Sequence, residues 1–130
     1  MAKINFTMAT PEDAETITLS GAAHKVNLHW RKNMSCWFYI PRAIIRILNL
    51  KAQQYAYFYV VNNTTLLISF TDPHLKTAKR RRLSYSKTQD DLTVIIPCNI
   101  INHDLIRDKK AVQLINPAGS VSHEWQIRFI

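Results

Sequence analysis

Hydrophobic and polar positions alternate over residues 24–30 (HKVNLHW). Val26, Leu28 and Trp30 fall on one side, with Lys25, Asn27 and His29 on the other, which predicts a half-buried strand with a wet face. A polar, basic stretch follows at 31–35 (RKNMS), and then WFYI at 37–40, an aromatic and β-branched run that suits a second strand. Pro41 stands where a helix would begin, the position at which its locked φ and missing N–H are tolerated. In RAIIRILNL, Ile44, Ile45, Leu48 and Ile47 gather on one face and Arg42 and Arg46 on the other, so a short amphipathic helix is expected. YAYFYVV at 55–61 returns to strand chemistry, Asn62-Asn63 marks a turn, and TTLLISF at 64–70 completes a hairpin.

The same plan recurs from 83 to 130. Ile96-Pro97 repeats Ile40-Pro41 at an offset of 56 residues; at that offset Ile100-Ile101 matches Ile44-Ile45, Ile106 matches Leu50 and Lys87 matches Arg31. Val112 and Leu114 supply a third strand, 116–119 a longer turn, and Ile127-Arg128-Phe129 answers Ile68-Ser69-Phe70. One such unit cannot bury both faces of its strands and its helix. The two must close on each other, or each must pair with another chain.

The motifs of the first unit resemble the AbrB/MazE (SpoVT-AbrB) family of swapped-hairpin DNA-binding domains. The resemblance rests on the basic, polar turn Arg31-Lys32-Asn33-Met34-Ser35, on the Ile40-Pro41 that ends the second strand, and on the spacing from there to Leu48-Asn49-Leu50. The hairpin ending in Leu67-Ile68-Ser69-Phe70 completes it. The first turn lacks the family's glycine, and Gln53-Gln54 stand where the family has an acidic pair. The resemblance implies a mainly β fold with short helices, closed as a swapped-hairpin β-barrel. Family members assemble that barrel from two chains; the internal repeat implies that one chain closes it alone, as a pseudo-dimer. The expected organisation is an N-terminal arm at 1–23, a first repeat at 24–70, a basic linker at 71–82 and a second repeat at 83–130. DNA contact through the Arg31 turn and through Arg46 is part of what the resemblance implies.

Charge changes the picture more than composition does. At 130 residues and 47% hydrophobic content, the chain has material for one compact domain or two very small ones. Its net charge is +8, and the charge is segregated. Between Thr16 and Gln89, twelve bases (Lys25, Arg31, Lys32, Arg42, Arg46, Lys51, Lys76, Lys79, Arg80, Arg81, Arg82, Lys87) face one acid, Asp72. Segregation of this kind is the footprint of a polyanion binder, because neutralising phosphates releases counterions. The candidate DNA-binding residues are therefore Arg31, Lys32, Asn33, Arg42, Arg46, Arg80, Arg81, Arg82 and Lys87. Each has a plainer reading too. Arg31 and Lys32 suit a solvated hairpin tip, Arg42 and Arg46 the wet face of any helix, and 79–82 a solvated linker. No acid lies at helical spacing from Arg42 or Arg46, which points to an external partner for them. The second half is poorer in such groups: Gln89-Asp90-Asp91 occupies its turn, and Asn102 stands where the first half has Arg46.

Catalytic chemistry is thin. There is no HExxH, GxSxG or P-loop, and two glycines in the whole chain do not build a phosphate-cradling loop. The five histidines lack ligand spacing, so no metal, cofactor or small-molecule substrate is expected. Cys36 and Cys98 read as free thiols of a reducing compartment, and no segment reads as a signal peptide or a membrane span. The expected protein is a non-enzymatic, cytoplasmic, nucleoid-associated regulator whose partner is double-stranded DNA, alone or as a homodimer. The alternative is a protein-interaction module on the same fold, antitoxin-like or a polymerase-binding inhibitor, whose basic face meets an acidic protein.

Overall fold

A computed structural model describes residues 23–33, 35–62, 65–85, 91–97, 99–116 and 123–130. Apart from Ala23, the expected N-terminal arm lies outside them. The described chain is mainly antiparallel β. Its strands are β1 (Ala23–Asn27), β2 (His29–Trp30), β3 (Cys36–Tyr39), β4 (Tyr55–Val61), β5 (Thr65–Ser69), β6 (Lys79–Arg82), β7 (Ser84–Tyr85), β8 (Leu92–Ile96), β9 (Ala111–Ile115) and β10 (Glu124–Phe129). Two short helices, α1 (Arg42–Leu48) and α2 (His103–Ile106), interrupt them.

The strands form two sheets, one six-stranded in the order β1-β9-β10-β5-β4-β6 and one four-stranded in the order β2-β3-β8-β7. The two halves interleave. The β9–β10 hairpin of the second half lies between β1 and β5 of the first, while β6 of the second half pairs with β4 of the first. At the edges, β1 runs on into β2 across Leu28, and β6 into β7 across Leu83, so both sheets share the strands that border them. Each joint is buried and pinned by the opposite half: Leu28 N–H donates to the Lys110 carbonyl, and Leu83 N–H to the Gln54 carbonyl, both at 2.8 Å.

The alternation of HKVNLHW is realised, with Leu28 buried, Val26 and Trp30 partly so, and Lys25 and Asn27 exposed. Trp30 turns toward the other half, where its Nε1 donates to the Lys109 carbonyl at 2.9 Å. Helix α1 begins after Pro41 and ends on Asn49, whose left-handed φ of 52° lets the chain turn back. Ile44 is fully buried and Ile45 and Leu48 half-buried, whereas Ile47 is 56% exposed and does not belong to the apolar face. The second helix is shorter than its counterpart and starts later. Pro97 is followed by a single turn, closed by Ile100 N–H on the Pro97 carbonyl, and Asn102 Oδ1 then accepts from Asp104 N–H at the start of α2. Ile44, Ile100, Ile101 and Ile106 join Phe38, Phe58, Leu66, Ile68 and Phe129 in one core.

Residues 79–82 correct the sequence reading. They are a strand, not part of a linker: Lys79–Arg82 pairs with β4, Tyr55 opposite Arg82 and Tyr57 opposite Arg80. Four consecutive cations fit a ladder because their stems can lie along the sheet while the heads reach water, and here aromatic rings stand beside them. This strand holds in the second half the place that β1 holds in the first.

Candidate nucleic-acid interface

Alternation along the two central strands of the smaller sheet decides what its outer face presents. In β3, Cys36 and Phe38 point into the core and Trp37 and Tyr39 away from it; in β8, Leu92, Val94 and Ile96 point in and Thr93 and Ile95 out. Pairing sets His29 beside Trp37 and Ser84 beside Thr93, so the outward residues form two adjacent rows, His29-Trp37-Ile95 and Tyr39-Thr93-Ser84. The rings are in mutual contact. His29 stacks on Trp37 with centroids 4.3 Å apart and planes 15° from parallel, while Tyr39 meets Trp37 edge-on at 5.2 Å and His29 at 5.7 Å.

A groove of about 700 Å³ runs over this platform. It is lined by Arg31, Trp37, Tyr39, Arg81, Arg82, Ser84, Tyr85, Thr93, Val94 and Ile95. Arg31 and the adjacent pair Arg81-Arg82, fifty residues further on, therefore line one groove, and no carboxylate stands among its described lining residues. Arg31 enters from the tip of the β2–β3 hairpin, Arg81 and Arg82 from the bend between β6 and β7. Tyr85, 59% exposed, and Tyr39, 39% exposed, leave aromatic surface open to water.

The sequence-predicted residues separate into several groups. Arg31 and Lys32 are exposed, and Arg31 also closes the hairpin, its N–H donating to the Ser35 carbonyl at 2.8 Å. Asn33 shapes the tip: its Oδ1 accepts from Ser35 N–H at 3.2 Å and from Ser35 Oγ at 2.7 Å, an Asx turn that does without glycine. Arg42 has a partner within the chain, contrary to the sequence reading. Its Nε donates to Asp91 Oδ1 at 3.0 Å, from a residue 49 positions away that helical spacing could not reveal. Arg46 is exposed in the last turn of α1 and lies outside the groove. Lys87 lies outside the described residues.

Arg80 and Arg82 flank one tyrosine. Their guanidinium carbons stand 4.6 and 5.5 Å from the centroid of the Tyr55 ring, and Arg82 donates both to Tyr55 Oη at 3.0 Å and to Gln53 Oε1 at 3.2 Å. The hydrogen bond from Arg82, then the positive charge of Arg82 and of Arg80, hold the Tyr55 phenol below its usual pKa. Arg81, on the other side of the strand, turns toward the groove and donates once, to the Arg80 carbonyl at 3.0 Å.

Trp37 and Tyr39 belong to a set of aromatics that the sequence assigns mostly to strand cores, with a few able to stack single-stranded bases; Tyr85 is not among them. Period-two alternation does set Trp37 and Tyr39 against Phe38 and Ile40, but both sets are apolar. Only the packing decides which pair is outside. Among the described residues no group of three or more His, Cys, Asp or Glu could hold a metal ion, and no helix is long and apolar enough to cross a membrane. No protein-family model matches this sequence, and neither a curated protein nor a solved structure matches it.

Proposed function

We propose that this chain is a DNA-binding protein of the regulator type, meeting DNA through the groove of the four-stranded sheet. One observation carries the reading: Arg31, Arg81 and Arg82 line a single groove without a carboxylate among its described lining residues. Guanidiniums bind phosphate oxygens bidentately, and several together release enough counterions to supply most of a non-specific affinity. On this reading Arg31 and Arg81 meet the phosphates of DNA, Lys32 adds charge at the hairpin tip, and Arg82 is shared with Tyr55. Arg42 serves the fold. In the same proposal the interleaved halves, joined through β1–β2 and β6–β7, close as an AbrB-type swapped-hairpin barrel, and nucleoid association follows from DNA binding.

The test is retention of a random duplex pool over a salt series, followed by sequencing of what is retained. A steep salt dependence with an enriched motif supports a sequence-reading regulator; retention without enrichment supports binding by charge and shape. A chain that retains neither duplex nor single-stranded DNA at low salt would sink the proposal and direct the search to an acidic protein partner.

A further inference from the structure

We infer that the groove takes DNA whose bases are unpaired, a short single-stranded run stacked on Tyr39, Trp37 and Tyr85. The inference rests on the groove being a nucleic-acid face and specifies the form of DNA it holds. Phosphate contacts alone need cations; they do not need three aromatic side chains lining the same cleft. In an intact duplex the base faces are stacked on one another and offer nothing to an aromatic ring. In a single strand every base has a free face, and stacking on an aromatic side chain is tolerant of sequence.

The layout suits a strand. Arg31 follows β2 at one edge of the four-stranded sheet, and Arg82 precedes β7 at the opposite edge, where the register brings it level with Ile95 and hence with the Trp37 row. Cations at the two edges of the sheet, with Trp37 and Tyr39 of β3 between them, match a backbone that crosses the sheet while its bases turn inward. The ladder is also built before any ligand arrives: His29 backs Trp37 in a stacked pair, and Trp37 in turn supports Tyr39. A cleft of about 700 Å³ lies in the range of sites that enclose a small ligand, which fits a few unpaired nucleotides better than a duplex.

The experiment measures three probes on the full chain by anisotropy, at one salt concentration: a mixed-sequence single strand of about twelve nucleotides, the same sequence as a duplex, and heparin. The expected result is at least tenfold tighter binding of the single strand than of the duplex. Tyr39→Leu, at an outward and partly exposed position, is expected to weaken the single strand on the order of tenfold and to leave heparin unchanged. Trp37→Leu, checked for an unaltered melting temperature, is expected to do the same. Equal or tighter binding of the duplex, or a loss in Tyr39→Leu that is the same for all three probes, overturns the inference and leaves the DNA-binding reading standing. Failure of all three probes to bind at low salt overturns both.

Discussion

Phe38 and Val94 stand opposite each other in the β3–β8 ladder, and they are 56 residues apart, the separation that also relates Ile40-Pro41 to Ile96-Pro97. An operation that carries each half onto the other must leave one cross-strand pair on its axis, and this is that pair. Phe38 is 0% and Val94 1% exposed, so the halves meet in close packing at that point. Phe38→Ala is expected to cost about 3–5 kcal/mol, enough to unfold much of a marginally stable domain, and Phe38→Leu to cost much less. Urea titration followed by circular dichroism checks this; an unchanged midpoint for Phe38→Ala would mean that the halves do not depend on this contact.

Asn49 ends α1 with φ at 52°. Asn tolerates this region and an alanine does not, since its Cβ meets the neighbouring carbonyl. Asn49→Ala should lower stability by about 1–2 kcal/mol, while Asn49→Gly should be nearly neutral. Thermal melts of the two variants side by side would settle the point, and equal melting temperatures would count against it.

The Arg42–Asp91 pair joins the helix of the first half to the strand entry of the second. Because both partners reach solvent, the pair is expected to contribute roughly 0.2–1 kcal/mol. Arg42→Ala should therefore fold normally and lose little DNA affinity. A large loss of affinity with stability unchanged would return Arg42 to the interface.

Arg31→Ala and Arg81→Ala should each weaken duplex binding and reduce the slope of log K against log salt by about one. Arg46→Ala, outside the groove, should change the slope by less. Binding isotherms at several salt concentrations give these slopes directly; a larger change for Arg46 than for Arg31 and Arg81 would move the contact surface to α1.

Burial pushes the Cys36 thiol up to about 12 from an ordinary value of 9.0. The folded state then keeps its proton where the unfolded state has lost it, so this contribution to stability is complete below pH 9 and falls as pH rises toward 12. The slope is at most about 1.4 kcal/mol per pH unit. In a Cys98→Ser background, Cys36 should resist alkylation at pH 8 in the native state and react fully in urea. Rapid labelling of the native protein would contradict its burial.

Much of the fold was legible because it is written in local rules. The proline-started helix, the strand alternation of HKVNLHW and the strands of both hairpins follow from backbone chemistry and period-two patterning. The repeat, read at a fixed offset, anticipated that β3 and β8 play equivalent parts. Local rules failed where the environment decides: KRRR looks solvated in isolation and becomes a strand only because β4 offers a ladder with tyrosines beside it. Arg42 looked partnerless because its carboxylate arrives from the other half of the chain.

The sequence by itself determined that this is a mainly β chain of two similar units with cations massed in its first two thirds. Tertiary structure alone decided where chemistry gathers. Trp37 and Tyr39 share a period with each other and oppose Phe38 and Ile40, but alternation assigns relative faces only, and the core chose Phe38 and Ile40. Arg31 and Arg81, fifty residues apart, come to one groove because β3 pairs with β8 and β7 with β8. Contacts of that range depend on how the two halves interleave, which no single stretch of the sequence specifies.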